Sequence, residues 1–402
     1  MSKLDKLIQQ LCPDGVEYKS LGEVCNSISD GSHNPPKGVG ESSYIMISSQ
    51  NIQPNGLSFD NVRYLTMEDF EKENKRTNVS FGDVLLTIVG TIGRSYVVKE
   101  NDPKLTLQRS VAILHPSKKI NSYFLHYYLL EINSILNRLA NGAAQKGIYL
   151  NQLSNIEIPL PLLPVQEEIV RILETFTSSI SNLKEQIKER RKQYEYYRNL
   201  LLDLEGKEGV EMKTLGEICD TLSGFPFDSS LFSDEGVRLM RGMNVKRGYF
   251  EFNNELNKYW SSSKGLEKFL LKENDIIISM DGSLVGRSFC YVTKDILPLL
   301  LVQRVARLRK NGNYKYIYHN ISKSFPTYVD KKKTAGAIPH ISMKDINNFI
   351  IPFPSLIEQE RIVNILDQFE ASIANLEAQL KEREKQSEYY RNQLLDFKKK
   401  EK

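Results

Sequence analysis

The stretch KERRKQYEYYRNLLLD (188–203) occurs a second time, with few changes, as KEREKQSEYYRNQLLD (381–396). The likeness extends upstream, because 28 of 45 positions are identical between residues 159–203 and 352–396. The earlier parts of the two copies share only short anchors. The chain is therefore an internal repeat of one unit. The C-terminal parts of the two copies have stayed similar, and their N-terminal parts have diverged.

Both similar segments are predicted to be helices of a coiled coil, because apolar residues recur in alternating steps of four and three. Pro164 suits the first turn of one helix, and Ser355 with Glu358 forms a capping box for the other. Each seam spans 33 residues, which corresponds to about 50 Å. The seam positions are Ile169, Leu173, Phe176, Ile180, Leu183, Ile187, Arg190, Tyr194, Tyr197 and Leu201, then Ile362, Leu366, Phe369, Ile373, Leu376, Leu380, Arg383, Ser387, Tyr390 and Leu394.

Two such stripes in one chain most simply bury each other. Two copies of one unit normally relate by a pseudo-two-fold axis, so we expect an antiparallel pair with the globular parts at opposite ends. The helices would then act as a spacer.

Residues outside the seam are also repeated, which burial of the seam does not explain. A solvated charged face remains one interpretation, although it predicts scatter at these positions. The other is a surface that binds the same partner twice. The candidate partner-binding residues are Lys188, Glu189, Lys192, Tyr196, Arg198 and Asn199, then Lys381, Glu382, Lys385, Tyr389, Arg391 and Asn392.

Composition narrows the class of protein. The 402 residues suffice for two or three domains with their own cores. With 54 Lys plus Arg against 50 Asp plus Glu, the net charge of +4 permits an anionic partner without requiring one. Cys12, Cys25, Cys219 and Cys290 lack the spacing of a disulfide framework or a zinc site, so no metal site is expected. Because there is no apolar run of about 18 residues and no signal-peptide pattern, we expect a cytoplasmic protein.

The globular parts are predicted to be mixed α/β. The runs GDVLLTIVG (82–90) and DIIISMDG (275–282) read as short buried strands, and residues 123–139 have helical periodicity. Equivalent anchors include LGEVC (21–25) and LGEIC (215–219). The fold class is therefore α+β, with two mixed α/β domains separated by a long antiparallel two-helix coiled coil. The predicted segments are a first domain at 1–163, a first helical spacer at 164–206, a second domain at 207–354 and a second helical spacer at 355–402.

Polar residues in the loops of both domains suit nucleic acid, since Gln, Asn, Arg and Lys side chains contact base edges and phosphates. For any one residue an ordinary surface position is the alternative, and the Gln-Arg pair present in both copies has a structural alternative. His115, His126 and His319 lie beside apolar residues and are expected to pack rather than to bind. The candidate DNA-binding residues are Ser32, His33, Asn34, Lys37, Arg94, Gln108, Arg109, Gln145 and Lys146, then Arg241, Asn244, Lys246, Arg247, Arg287, Gln303, Arg304, Lys331, Lys332, Lys333 and His340.

Two short sequence motifs resemble catalytic motifs of enzymes. SDGSHNPPKG (29–38) contains the N-P-P of adenine methyltransferases, which need a following aromatic residue on which the extruded base stacks. Here Lys37 follows, and no G-x-G-x-x-G string occurs for the methyl donor. PDGVEYK (13–19) mimics a nuclease string, but only two residues separate Asp14 from Glu17, too few to place them on adjacent strands. No catalytic residue is therefore expected.

The layout resembles the specificity (S) subunit of type I restriction-modification systems, in which two variable target-recognition domains alternate with two similar helical segments. Asp30, Gly31, Ser32, His33 and Pro36 match the D-G-[ST]-H-x-x-P string common in these domains. The strings GDVLLTIVGTIG, PLPLLPVQEEIVRIL and PFPSLIEQERIVNIL also resemble the family's pattern. The second copy departs from it, because SGFPFD (223–228) replaces the D-G-[ST]-H loop, so a contact role for His33 does not carry over.

The resemblance implies a non-catalytic adaptor. Each domain would read one half of a split sequence in double-stranded DNA, and the helices would set the gap and bind two modification subunits. Those partners would carry S-adenosylmethionine, so no cofactor is expected on this chain, and restriction subunits would join to cleave. The alternative class is a coiled-coil scaffold without DNA recognition.

Overall fold

The computed structural model describes residues 3–54, 56–140, 146–310, 312–333 and 339–401. The chain forms two compact units, unit 1 from Met1–Glu185 with Glu377–Lys402, and unit 2 from Gln186–Leu376. Each unit contains one globular domain, called domain 1 or domain 2, and a segment of each of two long helices.

Unit 1 begins with a short helix and contains most of one long helix. Its elements in chain order are α1 (Lys3–Leu11), β1 (Tyr18–Ser20), α2 (Leu21–Val24), β2 (Cys25–Asp30), β3 (Tyr44–Ile47), β4 (Ile52–Gln53), β5 (Gly56–Leu57), β6 (Arg63–Leu65), α3 (Met67–Thr77), β7 (Val84–Thr87), β8 (Ser95–Val97), β9 (Lys104–Leu107), β10 (Val111–Pro116), α4 (Ser122–Glu131), α5 (Asn133–Leu139), α6 (Leu150–Ser154), β11 (Glu157–Pro159) and the long helix α7 (Leu163–Leu201), which continues into unit 2.

Domain 2 repeats this order with fewer helices before its long helix. Its elements are β12 (Glu211–Thr214), α8 (Leu215–Ile218), β13 (Asp220–Ser223), β14 (Val237–Met240), β15 (Tyr259–Trp260), β16 (Ile276–Ser279), β17 (Phe289–Tyr291), β18 (Leu299–Leu301), β19 (Val305–Arg309), α9 (Tyr314–Lys332), α10 (Met343–Asn347), β20 (Ile350–Phe353) and the long helix α11 (Leu356–Leu395), which ends in unit 1.

The two domains have the same sheet topology. Domain 1 contains a four-stranded antiparallel sheet in the order β2-β10-β7-β8 and a three-stranded sheet in the order β6-β3-β9, in which β3 and β9 are parallel. Domain 2 has the matching sheets β13-β19-β16-β17 and β15-β14-β18. Each domain has one four-stranded sheet and one three-stranded sheet with a parallel pair, so the two halves of the chain share the same fold.

The four-stranded sheet is buried on both faces, which explains why its strands read as continuous apolar runs. In β7, Val84 and Leu86 face a core that includes Phe124 of α4 and Leu173 of α7, whereas Leu85 faces the second sheet. Successive side chains of a strand point to opposite faces, so one short run serves two cores. In β16 the same division holds, since Ile276 and Ile278 share one cluster and Ile277 another.

The repeated anchors LGEVC and LGEIC are short capped helices. Ser20 precedes α2, and its backbone N–H donates to the Glu23 carboxylate at 2.8 Å. Thr214 and Glu217 form the same capping box at α8, with a backbone bond of 2.7 Å. A capping box satisfies donors that a helix end leaves unpaired, so the anchor persists where most of the surrounding sequence differs.

The two long helices meet along the predicted seam within each unit. In unit 1, Phe176 stacks on Tyr390, and Lys184 pairs with Glu384 at 3.2 Å. Because the partner number falls as the α7 number rises, the helices run antiparallel there. In unit 2, Tyr197 stacks on Phe369. The α+β class and the paired long helices are thus confirmed.

The two ends of the chain meet in unit 1. The Val16 backbone N–H donates to the Lys398 carbonyl at 2.8 Å, and the Lys400 N–H donates to the Val16 carbonyl at 2.9 Å. The Tyr18 hydroxyl donates to the Phe397 carbonyl at 3.0 Å. The last residues therefore close the same domain that the first residues begin.

Candidate nucleic-acid interface

The loop after β2 is held rigidly from both sides. Arg76 of α3 binds the Asp30 carboxylate, and the same carboxylate lies 2.8 Å from the His33 Nε2. Further along, Arg63 donates from Nη1 to the Pro36 carbonyl at 2.9 Å. The loop that contains D-G-S-H is therefore held by contacts on both sides, and its Asp30 carboxylate is engaged by Arg76 and His33.

Gly31 joins this loop to the turn between β9 and β10. A Cβ at position 31 would lie 2.1 Å from the Leu107 carbonyl oxygen, closer than any side chain allows, so glycine is required by close approach. The Ser32 N–H donates to that carbonyl at 2.7 Å, and the Arg109 N–H donates to the Ser32 carbonyl at 2.9 Å. The D-G-S-H loop and the Gln108–Arg109 turn form one surface.

Candidates of domain 1 differ in what they can reach. His33, Asn34, Lys37, Arg109 and Lys146 are exposed. Ser32 is buried, and it contributes its backbone to the junction described above. Gln145 lies outside the described residues.

Arg94 is engaged within domain 1. Its Nη1 donates to the Ile52 carbonyl at 3.2 Å and to the Gln53 side-chain oxygen at 2.9 Å. It therefore supports the β4–β5 hairpin, and only part of its guanidinium is left for an outside contact.

In domain 2 the loop after β13 is aromatic. Phe225 and Phe227 contact each other, and Phe227 also lies against Trp260, with ring centroids 4.8 Å apart. The junction itself is conserved in geometry, because a Cβ at Gly224 would lie 2.1 Å from the Val302 carbonyl oxygen. The same backbone frame thus presents a polar surface in domain 1 and an aromatic one in domain 2.

Backbone hydrogen bonds change the pairing of the two Gln-Arg strings. The Ile88 N–H donates to the Ser110 carbonyl, and the equivalent Met280 N–H donates to the Arg304 carbonyl. Ser110 therefore corresponds to Arg304, so Gln108 corresponds to Val302 and not to Gln303. The two turns have the same shape, but the Gln-Arg pair of domain 2 is shifted by one residue relative to that of domain 1, so the match in sequence is coincidental.

Basic candidates of domain 2 form two groups. Arg304 pairs with Asp281 at 3.2 Å, and the backbone of His340 bridges to Asp281. In the second group Asp330 is bound by Arg287, in a bidentate pair, and by Lys333 at 2.8 Å. Arg247, Lys331, Lys332 and the uncharged Gln303 belong to neither group and are exposed.

Three further candidates have partners inside domain 2. Asn244 is fully buried, accepts from the Arg241 backbone N–H at 3.1 Å and donates to the Glu251 carbonyl at 3.0 Å. Lys246 pairs with the Glu251 carboxylate at 3.0 Å, and the Arg241 guanidinium lies over the Phe232 ring. Asn244 consequently holds a turn, as Asn51 does in domain 1.

The repeated helix surface presents the same aromatic pair in both units. Tyr196 is 63% exposed and Tyr389 is 61% exposed, although each also contacts the tyrosine that follows it. Next to Tyr389 lies a cavity of about 650 Å³ that Phe176, Arg383 and Gln386 also line. The other exposed members of the predicted surface are Lys188, Glu189, Lys192, Asn199, Lys381, Glu382, Lys385 and Asn392.

Two predicted partner-binding arginines instead hold the domains to the helices. In unit 1, Arg391 of α11 pairs with Glu131 of α4 at 2.9 Å. In unit 2, Arg198 of α7 donates to the Ser322 hydroxyl at 3.1 Å. Both are partly buried, so their repetition follows from intramolecular packing.

Two of the three histidines that are expected to pack lie at these same junctions. Burial, and then the nearby Arg391 charge, lower the pKa of His126 to about 4. In unit 2 the Tyr194 hydroxyl lies 3.2 Å from the Nδ1 of the buried His319 and 3.0 Å from Glu370. Lys315 pairs with Asp367 at 2.6 Å beside it. The two histidines are not equivalent, because counting from the helix caps Asn121 and Asn313 aligns His319 with Tyr127.

Several residues of the site have no signal in the sequence. Arg63 and Arg76 reach the D-G-S-H loop from 27 and 46 residues away. Ser110 fixes the Gln108 side chain by a contact that only the folded turn creates.

Among the described residues no helix combines the length and apolar character needed to cross a membrane.

Comparison with known proteins bears on both halves of the chain. The family model described as "Type I restriction modification DNA specificity domain" matches residues 13–190 and again 207–385. The Escherichia coli EcoR124I/EcoR124II specificity subunit is 31% identical over 69% of this chain and 72% of its own length. The MjaVIII specificity subunit of Methanocaldococcus jannaschii is 27% identical over 78% of this chain and 77% of its own length.

A solved structure shares the fold. The S subunit of a type I restriction-modification system from M. genitalium is 16% identical, covers 95% of this chain and 96% of its own, and has a TM-score of 0.59. Nothing in the comparisons supports a coiled-coil scaffold without DNA recognition. The chain therefore belongs to the family of type I restriction-modification specificity subunits, which recognise a DNA target and are not themselves catalytic.

Proposed function

We propose that this chain reads a bipartite, non-palindromic DNA target, with one half-site per domain. The observation that carries the proposal is the contrast at the two reading loops, polar around Gly31 and aromatic around Gly224, on the same backbone junction. Two readers of different chemistry on one frame suit two different base sequences, because groove-facing side chains determine which bases are accepted.

In domain 1 the exposed His33, Asn34, Lys37 and Arg109 would meet the DNA, and Lys146 would add a phosphate contact. In domain 2 the corresponding surface would consist of exposed basic residues and of the aromatic loop. Several basic side chains of domain 2 already pair with carboxylates of the protein. They would therefore help to orient the DNA more than they would add positive charge to the surface. The domain 2 residues that we place at the DNA are Arg247, Arg287, Gln303, Arg304, Lys331, Lys332, Lys333 and His340.

We further propose that two modification subunits bind the repeated helix surface, one at each copy, in the cytoplasm. Tyr196 and Tyr389 are large aromatic side chains at equal exposure, and such residues are enriched among those that dominate interface energy. Seam residues such as Ile180 and Leu183 in unit 1 and Ile373 in unit 2 remain partly exposed, so a pair of helices leaves apolar surface uncovered. S-adenosylmethionine would bind these partners, and restriction subunits would join the same assembly.

The function is tested with the chain co-purified with its modification subunits. Methylated adenines are mapped over the genome of a host that expresses the complex, and duplexes that carry the mapped site are bound across a salt series. We expect one split motif with a fixed unread gap and a steep fall of affinity with salt, because phosphate contacts release counterions. A contiguous or palindromic motif would contradict the proposal.

A further inference from the structure

Gln108 lines a polar cavity beside the reading loop of domain 1. The cavity measures about 320 Å³, and its walls include Ser48, Gln50, Asn61 and Arg63. Asn51 is also in the wall, but its side chain is occupied by bonds to Ser48, Ser58 and Asp60. Gln108 is only partly buried, so its side chain can face both the cavity and the outside.

The protein fixes which end of the Gln108 amide is available. Its Oε1 accepts from the Ser110 backbone N–H at 3.0 Å and from the Ser110 hydroxyl. A backbone N–H can only donate, so the atom it meets must be the amide oxygen. The Ser110 hydroxyl in turn accepts from the Ser49 N–H at 3.0 Å, which fixes its own direction.

This arrangement leaves the Gln108 side chain able to donate hydrogen bonds to a ligand but not to accept them. Both lone-pair directions of Oε1 are used, whereas Nε2 has no hydrogen-bond partner among the described residues. A glutamine normally binds adenine through one donor and one acceptor, and here the acceptor is occupied. Guanine presents two adjacent acceptors, O6 and N7, in the major groove and therefore matches a group that only donates.

Domain 2 lacks this device. The residue equivalent to Gln108 is Val302, which is 8% exposed and packs with Phe225 and Phe227. The residue equivalent to Ser110 is Arg304, which pairs with Asp281. The equivalent turn of domain 2 therefore offers no donor fixed in this way, and the effect should be confined to one half-site.

We infer that Gln108, oriented by Ser110, is a specificity-determining residue that reads one guanine in the half-site of domain 1. The inference rests on the proposed DNA-reading function and names one base contact within it. Ser110 is a positioning residue, because it acts through the amide that it holds.

The test uses the complete complex with modification subunits, in three versions besides the wild type. Gln108→Glu keeps the shape and still accepts from Ser110, but it replaces the donor by acceptors. Ser110→Ala removes the hydroxyl and keeps the backbone N–H, so one of the two lone-pair directions of the Gln108 Oε1 becomes free to accept a hydrogen bond. Gln303→Glu makes the same chemical change in the equivalent turn of domain 2 and is the matched control.

Binding is measured on duplexes in which each base pair of the mapped site is replaced in turn. For the wild type we expect one guanine of the first half-site to be preferred by roughly 5- to 100-fold over the other bases. Gln108→Glu should remove that preference, and Ser110→Ala should let adenine be accepted at the same position. Preferences at all other positions should persist in both variants. Any change that Gln303→Glu causes should fall in the second half-site and leave this guanine preference intact.

Two results would overturn the inference. Unchanged guanine preference in Gln108→Glu would mean that another residue reads this base. An effect spread evenly over all positions, with unchanged circular dichroism, would mean that Gln108 only supports the loop. Failure of the proposed function is recognised separately, because the wild type would then give no split motif at all.

Discussion

Phe176 stacks on Tyr390 with ring centroids 5.2 Å apart and an interplanar angle of 26°, and the equivalent Phe369 stacks on Tyr197 at 5.3 Å and 25°. The two pairs exchange the roles of the helices, because the phenylalanine comes from α7 in unit 1 and from α11 in unit 2. Arg383 lies over the Phe176 ring at 5.7 Å, and Arg190 lies over the Phe369 ring at 5.9 Å. The repeat is therefore preserved in individual contacts within each unit.

Replacing either phenylalanine by alanine should destabilise its own unit by a similar amount. Phe176→Ala and Phe369→Ala each remove a partly exposed aromatic stack and a cation contact, so we expect a loss of about 1 to 3 kcal/mol from each. Urea unfolding followed by hydrogen exchange would locate the loss. A large effect of one variant and none of the other would contradict the equivalence of the two contacts.

Removing one exposed tyrosine should remove one partner. The proposal that two modification subunits bind the repeated helix surface predicts that Tyr389→Ala weakens the binding of one by tenfold or more. Tyr196→Ala should weaken the binding of the other, because truncating an interface aromatic is costly. Native mass spectrometry would then show one partner for each single variant and none for the double variant. Tyr149→Ala, which changes a domain 1 tyrosine that is 67% exposed, is the control and should retain both partners.

A methyl group at Gly31 should disable the reading loop of domain 1. In Gly31→Ala the Cβ would meet the Leu107 carbonyl, so the loop must move away from the Gln108 turn. We expect DNA affinity to fall at least tenfold in binding assays with the complex. Gly40→Ala is the matched control, because nothing lies within 4 Å of a Cβ there. Equal affinities of the two variants would show that the junction is not needed for binding.

Domain 1 should lose stability as the pH falls from about 6.5 towards 4, since the pKa of His126 is lowered to about 4 in the folded state. Over this range the unfolded chain binds a proton that the folded chain does not, so stability rises with pH. The contribution is up to about 3 kcal/mol, and His126→Gln should flatten this part of the stability curve in urea titrations.

His115 provides a control of opposite sign. Its hydrogen bond to Asp83, at 2.8 Å, raises its pKa. The stabilisation is therefore present below the unfolded pKa and is lost as the pH rises through the folded pKa. His115→Gln should lower stability mainly at acidic pH, and a parallel response of both variants would refute the assignment.

Shortening both long helices should change the unread gap of the target. Deleting residues 177–183 together with 370–376 removes one heptad from equivalent places and keeps the seam in register. We expect the mapped methylation motif to have a shorter gap or to disappear. If the original gap persisted, the helices would not determine the spacing.

The helical repeat could be predicted from the sequence because its periodicity is local. The seam positions Phe176 and Tyr390 do meet, and the shared anchors are capping boxes, which need only four consecutive residues. Tyr196 and Tyr389 are exposed to a similar degree, and the partner-binding surface that contains them stays a prediction. What the repetition cannot reveal is which repeated residues serve the fold, as Arg198 and Arg391 do.

The sequence predicts where the D-G-S-H loop lies, but it does not predict the contacts that hold the loop in place. Asp30 depends on Arg76, and Gln108 depends on Ser110 and Ser49, and such contacts arise only after distant strands pair. Aligning the two Gln-Arg pairs by sequence shifts the correspondence of the two turns by one residue, because the turns have the same shape but different sequences. Backbone hydrogen bonds, rather than letters, identified Val302 as the counterpart of Gln108.

The closure of the chain ends has a consequence for biosynthesis. Domain 1 leaves the ribosome first, yet Val16 finds its strand partner only when Lys398 to Lys400 emerge. Domain 2, whose residues are contiguous, can finish folding beforehand. The part that is made first is thus completed last, and a chain released early would expose the apolar residues around Leu4 to chaperones and proteases.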